Sequence, residues 1–113
     1  MAVFVIGQGA GGHKGTYEIF ADESITVSST SIGFTAATYD PVAGDNRGQA
    51  TYAFCTVESN SIIVRFTGGA ASTGNLLTVT TSDQLILHGA GNIRNFRAIR
   101  VTNDATLRAA YGR

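Results

Sequence analysis

The sequence holds no tryptophan, one proline, one cysteine and one methionine, and few charges of either sign. A lone cysteine excludes an intrachain disulfide; Cys55 falls in the alternating run "TYAFCTV", where a small buried thiol rather than a nucleophile is expected. Without tryptophan, and with its tyrosines (Tyr17, Tyr39, Tyr52, Tyr111) scattered through strands and loops, the chain offers little of the exposed aromatic platform on which β-proteins usually seat sugars. Charged residues make up 14% of the chain against about 25% in an average soluble domain, and eight basic side chains balance eight acidic ones. That balance removes the long-range field with which a nucleic-acid binder gathers phosphate. A surface so poorly charged repels its neighbours weakly, which suits a subunit built to sit against others. Long apolar runs are missing too: the opening "MAVFVIG" has no basic lead and is too short for a signal core or a bilayer span. The expectation is a protein made and kept in a cytoplasm, or packed into a particle assembled there, with no membrane partner.

What is present is 14 glycines, 14 threonines and many short alternating runs in a chain of 113 residues, a length suited to one domain with one core. Strands are expected at 2–6, 16–21, 24–29, 31–38, 50–57, 62–66, 76–81, 84–88, 96–101 and 105–111, with Ile25, Val27, Ile32 and Phe34 facing inward at period two. The glycine-rich stretch 7–15, the proline-containing stretch 39–49 and the small-residue stretch 67–75 are read as loops. Short links suggest three hairpins: 50–57 with 62–66 through "ESNS", 76–81 with 84–88 through "SD", and 96–101 with 105–111 through "TND". Strands about every ten residues, without a durable helical period, predict an all-β fold: a single antiparallel β-sandwich or jelly-roll-like domain.

Residues 92–101, "NIRNFRAIRV", interleave Ile93, Phe96 and Ile99 with Arg94, Arg97 and Arg100, which on a helix would make a basic stripe. A helix confined to this stretch would be marginal. The segment therefore divides into a turn or single helical turn at "NIRN" and a strand from Phe96. On the strand, Phe96 and Arg97 face opposite sides and Arg100 shares the side of Phe96, so the stripe dissolves. The arginines are then expected to reach carboxylates or carbonyls of a neighbour.

Other motifs lack the context their chemistry needs. Gly7, Gly9 and Gly12 fit G-x-G-x-x-G after an apolar strand, but "HKGTYEIF" follows where a helix is required, and no ribose-binding acid stands about 20 residues on. His13 separates Gly12 from Lys14 and Gly15 replaces the Ser or Thr of a P-loop. His13 and His88 have no ligand at zinc spacing, and Asp40, Asp45 and Asn46 lack the closing glutamate of a calcium loop. No catalytic residue, cofactor or metal is assigned, and an enzyme is not expected.

Three segments, "SITVSSTSIGFTAATYDP" (24–41), "QATYAFCTVESNSIIVRFTGGAASTGNLL" (49–77) and "NIRNFRAIRVTNDATLRAAYGR" (92–113), together resemble a family of small all-β proteins encoded by tailed bacteriophages. In that family a strand rich in "ITV" leads to "GLTAATY", then to "IRFR-DGT-PT-S-GH-LL", and to "I-NFRAIR…ATLRVTY" at the end. Thr67, Ala71 and Asn75 stand where aspartate, proline and histidine are common, so nothing tied to that loop is carried over. The resemblance implies a virion component: a cement or decoration protein on the capsid exterior, partnered by the major capsid protein and by copies of itself in a closed oligomer such as a trimer. Arg94, Arg97 and Arg100, with His13 and Lys14 in the glycine-rich loop, are the candidate interface residues. A head-fibre or tail-associated module that binds receptor glycans is the alternative.

Overall fold

The computed structural model describes residues 2–7, 18–40, 49–72 and 77–113. Its elements in order are β1 (Val3–Ile6), β2 (Ile19–Val27), α1 (Ala36–Tyr39), β3 (Tyr52–Glu58), β4 (Ile62–Arg65), β5 (Leu77–Val79), β6 (Gln84–His88), α2 (Ala90–Asn95), β7 (Arg97–Arg100) and β8 (Ala105–Gly112). They form a five-stranded sheet in the order β1-β6-β3-β8-β2 and a three-stranded sheet in the order β5-β4-β7. Alternation along the strands turns Val57, Leu85, Leu87 and Leu107 of the large sheet toward Ile62 and Val64 of the small one, and all are buried. The fold is thus an all-β, two-sheet sandwich, as the strand spacing predicts. It is not purely antiparallel, because β1 runs parallel to β6.

The expected hairpins are not formed. β3 pairs with β6 and β8, leaving no edge for β4, which pairs instead with β5 and β7. Likewise β5 and β6, and β7 and β8, lie in different sheets. All three short links are corners that carry the chain from one layer to the other. At the first, Ser59 adopts a left-handed φ of 76°, and Asn60 Nδ2 donates to Asp104 O at 2.8 Å, tying this corner to the one after β7. At the second, Asp83 accepts from Thr80 N (2.9 Å) and Thr80 Oγ1 (3.0 Å), closing the turn on itself.

Two further expectations are corrected. Segments 16–21 and 24–29 are not two strands: β2 continues through Asp22 and Glu23, pairing with β8 along its length with a register shift between Ile19 and Ala21. Segment 31–38 is not a strand either; Ile32 makes one antiparallel bridge to Ala98 and remains 37% exposed, after which the chain turns into α1. Gly33 sits where a Cβ would come within 2.6 Å of Arg97 Nη1 and 2.8 Å of Phe96 O, so glycine lets the chain pass close to the start of β7. Phe34 does face inward, stacked on Phe96 with centroids 4.2 Å apart and edge-on to Tyr111 at 5.5 Å.

Candidate interaction surfaces

Pairing registers define the outer face of the large sheet. One row crosses it as Val5, Ile86, Phe54, Ala110 and Asp22; the next runs Val3, Gln84, Thr56, Arg108 and Ser24. Among the described residues no helix lies across this face, and its apolar row is only partly shielded: Ile86, Phe54 and Ala110 are half-buried, and Val5 is exposed. Because Ala110 is small between Phe54 and Asp22, the face dips there into a hollow of about 280 Å³ lined by Asp22, Ser24, Phe54, Thr56 and Arg108. Arg108 spans the hollow, its Nε 2.8 Å from Glu58 Oε1 and its Nη1 donating to Ser24 Oγ at 3.3 Å. The Glu58 carboxylate raises the guanidinium pKa further, so Arg108 is a fixed positive charge.

On the inner side of the same sheet the groups with shifted pKa values serve the core. Tyr111, fully buried, donates to Glu23 Oε2 at 2.5 Å, and the same oxygen accepts from Thr35 N at 3.1 Å. Burial, followed by the bond to Glu23 and its negative charge, drives the phenol pKa up, so the hydroxyl stays protonated and donating. Cys55 is sealed between the sheets, and burial pushes its thiol pKa up to about 12, which suits a packing group rather than a nucleophile. Asp83 accepts from Ala2 N at 3.0 Å as well as from Thr80; the backbone N–H groups of Thr80 and Ala2 hold its carboxyl below the ordinary value.

The three arginines of 92–101 separate as the strand alternation predicts. Arg94 is exposed on α2. Arg97 curls back so that its Nη1 donates to Phe96 O (2.6 Å) and Arg94 O (3.1 Å). Arg100 pairs with Asp104 at 2.5 Å, both partly exposed. His13 and Lys14 lie outside the described residues. Sequence reasoning passed over Arg65, the direct cross-strand partner of Arg97. Its signal was an arginine closing the apolar run "IIVRF", in phase with Ile63 on the side away from the core.

Gly7, which opens the apparent nucleotide fingerprint, has a steric role. Its φ is +89°, and a Cβ would fall 2.2 Å from His88 O, so glycine lets β1 pass the end of β6. Among the described residues no group of three or more His, Cys, Asp and Glu side chains comes together to hold a metal ion. No helix of the described residues is long and apolar enough to cross a membrane. The chain matches no family model, no curated protein and no solved structure.

Proposed function

We propose that this chain is a structural virion protein, a cement or decoration protein that bridges major capsid subunits and self-associates as a closed oligomer on the capsid surface. The observation that carries the reading is the open apolar row Val5–Ile86–Phe54–Ala110 on a domain of low charge. Such a row gains stability when another subunit removes it from water, at roughly 25 cal/mol per Å² of apolar area. The resemblance of segments 24–41, 49–77 and 92–113 to small phage proteins supplies the kind of partner. Its test is imaging of particles of the virus that encodes the chain, with native mass spectrometry of the purified protein. Wild type should occupy the shell and form a single oligomer. Phe54→Lys should keep its β-rich far-UV spectrum yet lose occupancy at least tenfold. A monomer that binds no shell would sink the proposal.

The hollow over Ala110 favours a second reading, a receptor-glycan module, because it surrounds one aromatic face with the polar groups of Asp22, Ser24, Thr56 and Arg108. An oligomer that neither binds shells nor protects them from heat, but shifts Phe54 resonances on adding sugars, would select it.

A further inference from the structure

Arg65 and Arg97 face each other across β4 and β7 on the outer side of the small sheet. Cations directly opposite in an antiparallel pair have Cβ atoms about 5 Å apart and repel. Among the described residues neither meets a carboxylate; the ion pairs there belong to Arg100 and Arg108. Both guanidiniums are nonetheless fixed, and by neutral oxygens. Arg65 Nε donates to Thr67 Oγ1 at 2.7 Å and its Nη1 to Ala70 O at 3.0 Å. Arg97 Nη1 takes the carbonyls of Arg94 and Phe96.

The frame around the pair is closely fitted. A Cβ at Gly69 would lie 2.9 Å from Arg65 Cζ, as one at Gly33 would lie 2.6 Å from Arg97 Nη1. Gly68 N donates to Asn95 O at 3.0 Å, so the loop that holds Arg65 is bonded to the end of α2 that holds Arg97. Attraction of a cation to helix-end carbonyls explains the place of Arg97. It does not explain a second arginine opposite it. A guanidinium has five N–H donors, and among the described residues Nη2 of both residues and Nε of Arg97 have no acceptor. Ordered donors and uncompensated charge are what a bidentate carboxylate needs, since the ordering cost is already met.

We propose that Arg65 and Arg97 form a docking site for a side-chain carboxylate on an acidic segment of a partner protein. Taking that partner to be a shell subunit rests on the virion reading above. Nucleic-acid phosphate fits less well, because eight acidic residues cancel eight basic ones over the chain and leave no field to gather a polyanion.

The probe is a hexaglutamate peptide added to the full-length protein at low salt, with arginine Nε–Hε resonances followed by NMR. The signals of Arg65 and Arg97 should shift and saturate while those of Arg100 and Arg108 stay in place, and Arg97→Gln should weaken binding roughly tenfold. Uniform shifts at all arginines, no shift at Arg65 and Arg97, or tighter binding of a single-stranded oligonucleotide than of hexaglutamate would overturn the site. The wild-type titration stands even if the variant fails to fold. Saturable hexaglutamate binding by a protein that ignores shells would keep this site and sink only the virion reading; shell binding without hexaglutamate shifts would do the reverse.

Discussion

Asp83 shows what one carboxylate contributes at the scale of a residue. It closes the corner between β5 and β6 through Thr80 and fastens the start of β1 through Ala2 N. Its pKa is below the ordinary 3.8, chiefly because the backbone N–H groups of Thr80 and Ala2 favour the charged form. A carboxyl held lower in the folded than in the unfolded chain stabilises above its unfolded pKa and loses that contribution as pH falls through its folded pKa. Asp83→Asn should therefore melt below wild type at about pH 7, and the gap should shrink as the pH falls below 3.8 and through the lowered folded pKa. Melts at both pH values check this, and a gap independent of pH would assign the loss to packing. Glu23 was the residue hardest to place from sequence. Counting back by twos from Val27 puts it on the core side, yet it falls between the two segments, 16–21 and 24–29, expected as separate strands. The acceptable partner, the hydroxyl of Tyr111, is 88 positions away and carries no local signal.

At the scale of elements, the strands were largely legible and their partners were not. Alternation told which side chains of true strands point inward, so Ile25, Val27 and Cys55 were correctly assigned to the core; of the pair expected inward on 31–38, Phe34 is buried although its segment is no strand, and Ile32 is exposed. It does not distinguish a link that folds back within a sheet from one that crosses to the opposite layer, because both are short, polar and rich in Ser, Asn and Asp. The difference lies in long-range bonds such as Asn60 to Asp104 O. Asn60→Ala should cost about 0.5–1.5 kcal/mol, the usual net worth of such a bond. Ser59→Gly should recover up to about 1 kcal/mol by relieving the left-handed backbone there. Denaturant midpoints of the two variants should move in opposite directions. Of the candidate interface, the division of the three arginines was readable from period two. The Arg65–Arg97 pairing was not, because register between β4 and β7 follows from the sheet assignment that the short links concealed.

For the whole molecule, the two ends of the large sheet differ. β2 is a guarded edge: it carries a register shift and turns Glu23 inward, features that discourage another strand from adding to it. Among the described residues β1 carries no such guard, and Val3 and Val5 are about half exposed, at 51% and 42%. Val5 begins the apolar row of the outer face and Val3 the polar row beside it, so that edge and face form one continuous surface. Contacts of this kind are driven by dehydration and respond little to ionic strength. The mass of the proposed oligomer, followed by light scattering, should stay constant between about 0.05 and 0.5 M salt, whereas hexaglutamate binding should fade over the same range. Dissociation of the oligomer by salt would mean that charge rather than apolar area holds it.

The corners have a mechanical consequence. After β3, β5, β6 and β7 the backbone passes from one layer to the other, stitching them together like a lace drawn through paired eyelets. A force that tries to lift the layers apart meets covalent chain at each crossing. It can separate them only by unzipping strands within a sheet, one ladder after another.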